Sequence, residues 1–297
     1  MNATATKTRV ALKNILYATD FSPSAEAALP YALGLAKQYG ATVHGLHVRF
    51  PATYPIVGPE ALPIVLEAAE EQAKFEAGQL HEMLGAVPHA VTVAEGDLWP
   101  IMNNILEQKK VDLIVMGTHG RKGVSRALLG STAEETFRKA PCPVLTVGPA
   151  VSNNTERRLA MKQILFATDF SEESLAALPF AVSFAQEHLS NLTLLNVAGK
   201  AEVGELVHAG QYAESTLRRL RALVPKDAEL WCEPHCRAEQ GPVAEKIMEV
   251  ATALGADLIV LGVKNPREGL GASTHVLQSV AHHVVANAAC PVLTVRV

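Results

Sequence analysis

Cysteines, long apolar runs and clusters of basic residues are scarce in this sequence, and each scarcity excludes a class of protein. Only 4 cysteines occur in 297 residues, which does not make the disulfide framework of a small secreted domain. No uninterrupted apolar run reaches the roughly 18 residues that a membrane-spanning helix needs. The formal net charge is −4 and no long basic run occurs, so neither a membrane protein nor a nucleic-acid-binding protein is predicted.

Apolar residues, in contrast, make up 48% of the chain, which is typical of well-packed globular domains. A length of 297 residues predicts about two domains. The first residues, Met1 to Asn14, are polar with scattered Lys and Arg and lack the apolar segment of a secretory signal. Because the few cysteines also suit a reducing compartment, we expect a cytoplasmic protein.

The sequence contains an internal repeat with a period close to the size of a domain. The segment Lys13–Ser22 returns 149 residues later as Lys162–Ser171, with two exchanges. The segment Ala140–Val147 returns 148 residues later as Ala288–Val295, with one exchange. This period indicates a tandem duplication, because solenoid repeats have periods of about 20–50 residues. We therefore predict two domains of the same fold, at residues 1–150 and 151–297.

Each copy alternates short apolar runs with longer amphipathic segments. Strands are predicted at Asn14–Ala18, Thr42–Val48, Ala90–Ala94, Leu113–Met116 and Val144–Val147, and again at Gln163–Ala167, Leu192–Val197, Glu229–Arg237, Leu258–Leu261 and Val292–Val295. Helices are predicted at Ala25–Tyr39, Pro63–Leu84, Pro100–Gln108 and Thr132–Lys139, and again at Glu173–Glu187, Glu202–Val224, Pro242–Leu254 and Val276–Ala286. This alternation predicts α/β domains with parallel sheets and helices on both faces. Such sheets bind ligands beyond the carboxyl ends of the strands, where the strand order reverses.

The loop from Met116 to Thr132 has the composition of a phosphate-binding site. Glycines stand at positions 117, 120 and 130, and the hydroxyl pair Ser131-Thr132 follows the last of them. Residues without a Cβ let backbone N–H groups approach an anion, and the positive end of a following helix favours phosphate. Three cationic side chains add positive charge to the loop: Arg121, Lys122 and Arg126. The alternative is that the glycines only close a strand-to-helix connection and Ser131 is an N-cap.

Three separated segments of the chain together resemble the universal stress protein family. They are Ala18–Ser22 after the first strand, the Gly-x2-Gly-x9-Gly-Ser spacing from Gly117 to Ser131, and the closing run Pro141–Val147. The resemblance covers both copies and therefore looks like a tandem member of the family. It implies the strand order 3-2-1-4-5 in each five-stranded parallel sheet, with the two copies paired through their last strands.

In the ATP-binding branch of that family, the Asp at the first strand end and the backbone of the second strand contact the adenosine. The glycine loop holds the ribose and the phosphates. Carried over position by position, the resemblance implies these ATP-binding residues: Ala18, Thr19, Asp20, Val48, Met116, Gly117, Gly120, Arg121, Gly130, Ser131 and Thr132. Mg²⁺ would come with the phosphates.

The second copy departs from this pattern in its loop. Gly262 keeps the first glycine, but Asn265 replaces the second, and the Gly130-Ser131 pair falls on Gln278-Ser279. A Cβ at two positions of close approach narrows the space for a phosphate, so we expect an altered or empty second site. In that case Asp169 remains as a structural capping residue.

Other candidates each have a structural alternative. Asp20 is either an adenosine contact or the first residue of an Asx turn, and His119 is either a phosphate contact or a solvated loop residue. Cys232, His235 and Cys236 are residue types that can bind zinc, but one nearby His is a weak zinc signal, and ordinary thiols are the favoured explanation of the cysteines.

The leading hypothesis is a cytoplasmic stress-response protein that binds ATP in its first domain, with nucleotide occupancy modulating its partner interactions. The protein partner is unknown, and a homodimer is predicted. No catalytic residue is predicted, because no Ser-His-Asp or Cys-His arrangement is present; slow ATP hydrolysis is the most that the resemblance allows. Two alternatives stay open: an ATP-independent interaction protein, and a zinc-stabilised ligand-binding module in the second domain.

Overall fold

The structure is a computed structural model of the chain and describes residues 10–49, 62–118, 129–151, 161–199, 209–224, 232, 234–264 and 279–296. The strands of these residues are β1 (Asn14–Ala18), β2 (Thr42–Arg49), β3 (His89–Glu95), β4 (Leu113–Gly117), β5 (Val144–Val147), β6 (Gln163–Ala167), β7 (Asn191–Ala198), β8 (His235–Gln240), β9 (Leu258–Val263) and β10 (Val292–Arg296). The helices are α1 (Pro23–Tyr39), α2 (Leu62–Leu84), α3 (Leu98–Lys109), α4 (Ser131–Lys139), α5 (Glu172–Leu175), α6 (Leu178–His188), α7 (Ala209–Leu223), α8 (Val243–Leu254) and α9 (Val280–Asn287).

The strands form one continuous sheet in the order β3-β2-β1-β4-β5-β10-β9-β6-β7-β8. Each repeat is parallel within itself and shows the order 3-2-1-4-5, which confirms the fold that the resemblance implied. The last strands of the two repeats, β5 and β10, pair antiparallel. Because this seam is antiparallel, the strands of the two repeats run in opposite directions. The carboxyl ends of the first repeat's strands therefore lie at one end of the strands of the sheet, and those of the second repeat lie at the other end.

Side-chain hydroxyls reinforce the seam between the repeats. The Thr146 hydroxyl donates to the Val292 carbonyl at 3.1 Å, and the Thr294 hydroxyl donates to the Val144 carbonyl at 3.3 Å. Both threonines are buried. The two pairs repeat the same contact in both directions across the seam, so the repeats are joined by a near-symmetric ladder.

Helices cover both faces of the sheet, and the cores run across the seam. On one face a single cluster includes Leu35 of α1 and Phe184 of α6. On the other face, Met102 of α3 belongs to a cluster of the first repeat. The corresponding cluster of the second repeat also contains Leu129 and Phe137 from the first repeat. The two repeats therefore share buried apolar surface on both sides of the sheet.

The strand and helix predictions agree with the structure except at proline-containing segments of the second repeat. The predicted helix Glu173–Glu187 is interrupted between α5 and α6, where Pro179 stands in the first turn of α6. The predicted strand Glu229–Arg237 is wrong at Cys232 and Pro234, which precede β8. Proline has no N–H for a strand ladder and is well tolerated in the first turn of a helix, which agrees with Pro234 before β8 and with Pro179 at the start of α6.

Two further helix starts were predicted too early or lie outside the described residues. The predicted helix Val276–Ala286 begins only at Val280, and Ser279 is its N-cap. The predicted helix Glu202–Val224 is seen as α7 from Ala209 onward, and residues 202–208 lie outside the described residues.

Candidate functional site

The described members of the predicted ATP-binding set in the first repeat converge at the carboxyl ends of neighbouring strands. β1 lies between β2 and β4, with Ala18 beside Leu46 on one side and beside Met116 on the other. The chain passes from β1 to β2 and β3 on one side of β1 and then crosses to β4 on the other side, so the strand order reverses between β1 and β4, which is the usual position of a ligand crevice. Thr118, directly after β4, accepts a hydrogen bond from Gly130 N at 2.9 Å and so brings the start of α4 to the same strand ends.

A strained turn follows β1 and carries Asp20. The Thr19 hydroxyl accepts from Phe21 N at 2.9 Å, and Asp20 Oδ1 accepts from Ser22 N at 3.0 Å. Phe21 has a φ of 58°, a left-handed conformation that costs a non-glycine residue about 1–3 kcal/mol. The Asx turn predicted as the structural alternative for Asp20 is therefore present, and it sets the carboxylate at the mouth of the crevice.

A buried histidine of β2 holds this turn in place. His47 Nδ1 donates to the Thr19 carbonyl at 2.8 Å, which fixes the proton on Nδ1 when the ring is neutral. The ring also packs against Phe21, with 4.7 Å between ring centroids. In the second repeat Asn196 takes this position and donates to the Thr168 carbonyl at 2.8 Å. The repeat thus preserves a polar tether between the second strand and the turn after the first.

Ionic contacts anchor the end of β2 beside Val48. Arg49 donates to the Ala69 carbonyl at 2.9 Å and lies 3.4 Å from Glu95. Glu76 is only 7% exposed, and its Oε2 lies 3.8 Å from both His47 Nε2 and Arg49 Nε. These distances exceed a hydrogen bond, so Arg49 attracts Glu76 as a charge across a small gap. The cluster ties α2 and β3 to the strand end that carries Val48.

Gly117, the first glycine of the loop motif, is required by packing. A Cβ at Gly117 would lie 2.6 Å from the backbone carbonyl carbon and oxygen of Ser24 in α1. Its counterpart Gly262 is tighter still, with a Cβ only 2.0 Å from the Glu173 carbonyl oxygen. The first glycine therefore lets the first helix of each repeat lie directly on the neighbouring strand end.

The helix after the loop begins differently in the two repeats. Gly130 is the N-cap of α4, with φ −63° and ψ 151°, and contributes no side-chain cap. The N–H groups of Ser131, Thr132 and Ala133 precede the first intrahelical bond, from Glu134 N to Gly130 O at 2.9 Å. In the second repeat the N-cap of α9 is Ser279, whose hydroxyl accepts from His282 N at 3.1 Å.

The crevice of the second repeat is small and internally satisfied. The cavity beside Asp169 measures about 130 Å³, less than the cavity of about 150 Å³ that holds a benzene molecule. Asp169 Oδ1 accepts from both the backbone N and the hydroxyl of Ser171, at 2.9 and 2.6 Å. Burial alone would raise the pKa of Asp169, but these hydrogen bonds, one from Ser174 and the charge of Lys264 hold that pKa below its ordinary value.

Comparison with known sequences decides the family. The sequence profile described as the universal stress protein family matches residues 11–148 and again residues 161–296. The chain belongs to the universal stress protein family. It is a tandem member, and membership places it among the stress-response proteins of that family.

Individual relatives agree with this assignment. A universal stress protein of Mycolicibacterium smegmatis is 27% identical over 294 residues, covering 95% of this chain and 96% of the relative. Universal stress protein MJ0531 of Methanocaldococcus jannaschii is 34% identical over 139 residues, covering 46% of this chain and 81% of the relative. The crystal structure of a universal stress protein from Archaeoglobus fulgidus shares the fold, with a TM-score of 0.69, 21% identity and 97% and 98% coverage.

Some predicted site residues of this universal stress protein belong to the part of the chain that the structure does not describe. Gly120 and Arg121, and with them His119, Lys122 and Arg126, lie outside the described residues. The same holds for Asn265 and Gln278 of the second repeat. Among the others, Ala18, Thr19, Met116 and Gly117 are buried, Asp20, Val48, Gly130 and Thr132 are half-buried, and Ser131 is exposed.

The sequence analysis missed the residues that position the site. His47, Arg49 and Glu76 were not singled out, although His47 and Arg49 are polar residues at the end of an otherwise apolar strand. The repeat offered a second signal, because His47 aligns with Asn196, another polar residue in a buried strand.

The cysteines of this protein have the surroundings of unreactive thiols. Burial raises the pKa of Cys142 and of Cys290 to about 12, and that of Cys232 to about 11. Thiols of this kind stay protonated near neutral pH, whereas zinc binds thiolates. Across the part of the chain that the structure describes, no group of three or more His, Cys, Asp or Glu is placed to hold a metal ion. In the same part of the chain, no helix is long and apolar enough to cross a membrane.

Proposed function

We propose that this universal stress protein binds ATP in its first repeat, and that nucleotide occupancy modulates its interactions with partners. The observation that carries the proposal is the N-terminus of α4. Its N-cap is a glycine in a conformation open to any residue, so the missing side chain is not required by the backbone. The N–H groups of the first turn, which no intrahelical bond uses, and the positive end of the helix suit an anion.

The surrounding geometry supports a nucleotide in the crevice between β1 and β4. The turn after β1 sets Asp20 at its mouth, where the carboxylate suits the hydroxyl and amine donors of an adenosine. The proposed ATP-binding residues remain Ala18, Thr19, Asp20, Val48, Met116, Gly117, Gly120, Arg121, Gly130, Ser131 and Thr132. Among them Gly117 acts through the packing of α1 on β4. Mg²⁺ is proposed to accompany the phosphates, since it usually binds through them.

The differences between the repeats support one nucleotide per chain. In the second repeat Ser279 caps its own helix and the crevice beside Asp169 is small. We therefore propose that residues 1–150 form the nucleotide-binding half and residues 151–297 an altered copy of it. A homodimer in the cytoplasm belongs to the same proposal, and any ATP hydrolysis would be slow.

Isothermal titration of ATP with Mg²⁺ into the purified chain tests the proposal. We expect saturable binding with a stoichiometry near one per chain. Acid extraction of freshly purified protein should release adenine nucleotide in a similar ratio. If the folded protein shows no saturable ATP binding, the alternative of an ATP-independent interaction protein holds. A stoichiometry near two would contradict the assignment of the second repeat.

A further inference from the structure

We propose a second ligand site, for a small primary amine with an apolar body, in a cavity where the two repeats meet. The cavity has a volume of about 260 Å³ and lies at the amino ends of β9 and β10. Tyr31 of the first repeat and Val151 at the junction of the repeats line part of its wall, and residues of the second repeat line the rest. A dry cavity of about 150 Å³ is enough for benzene, so this one has room for an aromatic ring with a short chain. The proposal does not depend on ATP binding, because none of the proposed ATP-binding residues lines the cavity.

The duplication shows why the cavity exists in the second repeat. Equivalent positions are fixed by an aspartate that precedes the fourth strand of each repeat. Asp112 Oδ2 accepts from Asn14 N at 2.9 Å, and Asp257 Oδ2 accepts from Gln163 N at 3.0 Å. With this alignment, four small residues around the cavity replace larger ones of the first repeat: Ala251 for Leu106, Gly255 for Lys110, Ala256 for Val111 and Ala289 for Pro141. Of the larger residues, Leu106 and Val111 are buried in the first repeat, so their replacement by alanine removes core volume at this place and opens the space.

The electrostatics of the cavity favour a cation or a hydrogen-bond donor. The helices α8 and α9 both end at its wall, at Gly255 and Ala288, and helix C-termini carry partial negative charge. Asp257, whose Oδ2 accepts from Gln163 N, belongs to the same wall and is its one acidic residue among those described. Among the described residues, no Lys, Arg or His lines the cavity. An ammonium group therefore suits this site better than a carboxylate or a phosphate.

The remaining wall is apolar and suits the body of the ligand. It includes the side chains of Met248, Ile259 and Pro291, together with the thiol of Cys290. Because burial raises the pKa of Cys290 to about 12, this thiol is neutral near pH 7 and behaves as a small apolar group. The arrangement of an apolar wall with a few convergent polar groups is typical of small-molecule sites.

Two probes of one shape test the charge preference: 2-phenylethylamine and phenylacetate. Binding is measured by titration calorimetry and by saturation-transfer NMR on the full chain. We expect saturable binding of 2-phenylethylamine with a dissociation constant of about 1 mM or tighter, and at least about tenfold weaker binding of phenylacetate. Absence of saturable binding of the amine, or equal binding of the two probes, would overturn the proposal.

Three variants locate the binding. Ala251→Leu restores the residue of the first repeat and should reduce amine binding at least about tenfold, because it fills the cavity. Ala256→Val adds a smaller side chain to the cavity and should weaken binding severalfold. The backbone accommodates valine here, because Val111 N in the first repeat makes the same hydrogen bond to Leu106 O that Ala256 N makes to Ala251 O. Ala253→Leu makes the same change as the first variant at an exposed position of α8 outside the cavity, and should leave binding unchanged.

The variants are first compared with the wild type by circular dichroism. If Ala251→Leu does not fold, Ala256→Val decides the question. Unchanged amine binding in a folded cavity-filling variant would place the amine elsewhere and overturn the proposal. A loss of amine binding in Ala253→Leu equal to the loss in Ala251→Leu would overturn it as well.

Discussion

Single residues that belong to one sequence motif have different tasks in this protein. Gly117 and Gly130 are the first and last glycines of the loop, yet Gly117 is buried under α1 and Gly130 caps the exposed start of α4. Packing dictates the first glycine, since any Cβ there collides with the Ser24 backbone. Backbone geometry does not dictate the last one, because its φ and ψ are open to every residue. Stability measurements and binding measurements should therefore separate the two.

Replacing Gly117 by Ala should lower stability. A Cβ 2.6 Å from backbone atoms forces α1 away from β4, and overpacking of this kind typically costs about 1–3 kcal/mol. Gly262→Ala is the matched change in the second repeat and should cost at least as much, because its Cβ lies nearer to the backbone. Urea unfolding without nucleotide measures both. Wild-type stability of either variant would show that the helix is not held on the strand end.

Replacing Asp20 by Asn should weaken ATP binding while preserving the fold. An Asn side-chain oxygen still accepts from Ser22 N, so the Asx turn persists, but the negative charge at the mouth of the crevice is lost. We expect at least about tenfold weaker ATP binding, the scale of a lost hydrogen bond to a charged group. Asp169→Asn is the control and should leave ATP binding unchanged. Equal effects of the two variants in calorimetry would contradict the assignment of the site to the first repeat.

At this scale, the sequence predicted residues whose role is local and missed those whose role depends on register. Asp20 and its Asx turn follow from neighbours two positions apart. The bond from His47 to the Thr19 carbonyl spans 28 residues and exists because β2 pairs with β1 in one register. No local pattern contains that register. Glu76 was missed for the same reason, since it reaches His47 and Arg49 only after α2 packs on the sheet.

At the scale of elements, the start of α4 offers a test that separates helix stability from ligand binding. Gly130→Asp adds a carboxylate that caps the helix, which should stabilise the nucleotide-free protein by a few tenths of a kcal/mol or leave it unchanged. The same carboxylate occupies the place proposed for a phosphate. ATP affinity should therefore fall at least about a hundredfold, since close like charges cost several kcal/mol. Thermal unfolding and calorimetry on the same sample check both halves of this prediction, and retained ATP binding would contradict it.

The contact between α4 and α9 should make stability depend on pH. His282 is 4% exposed and lies against Phe137, with 6.3 Å between ring centroids. Burial lowers the pKa of His282, an effect that Glu134 opposes and His283 reinforces. Between this lowered pKa and the ordinary value of about 6.5, the unfolded chain binds a proton that the folded chain does not. The contribution of the neutral, buried His282 to the free energy of unfolding should therefore be fully present above about pH 6.5. It should be lost as the pH falls from about 6.5 through the lowered pKa of the folded state.

Replacing His282 by Leu should remove this contribution and flatten the dependence. His44 and His188, whose pKa values burial also lowers, keep their own share of the slope. His283→Leu removes only the reinforcing charge of the exposed neighbour, while burial still lowers the pKa of His282, so this variant should keep most of the wild-type slope. Urea midpoints at about pH 5.5 and 7.5 compare the three proteins across the window. A wild-type slope in His282→Leu would contradict the prediction.

Most strands were predictable because parallel strands are buried on both faces and appear as short apolar runs, as in Leu113–Met116. The helix break before Pro179 was not predictable from the sequence, because α1 continues without a break through Pro30 at the equivalent position. Tertiary packing therefore decides whether a helix tolerates the same proline.

At the scale of the whole molecule, the antiparallel seam separates the crevices of the two repeats and joins their cores. The crevice of the first repeat lies at one end of the strands of the sheet and that of the second repeat at the other, as follows from the pairing of β5 with β10. Leu145 and Leu293 face each other across this seam and are almost fully buried. Leu129 and Phe137 of the first repeat belong to a core cluster of the second. A ligand of one repeat should therefore stabilise both.

The chain should unfold in one transition that ATP shifts as a whole. With ATP at about a hundred times its dissociation constant, binding to the folded state adds about 2.7 kcal/mol to the free energy of unfolding. The second tryptophan, Trp231, lies in the second repeat, so the experiment uses a Trp231→Phe background. In this background, fluorescence of Trp99 in the first repeat and far-ultraviolet dichroism of the whole chain should report the same midpoint, with and without ATP. The double change Leu145→Ala and Leu293→Ala opens a cavity in the seam and should split the transition, so that ATP then moves only the part reported by Trp99. Two separate transitions in the wild type, with ATP moving one of them, would show instead that the shared sheet and core do not couple the repeats.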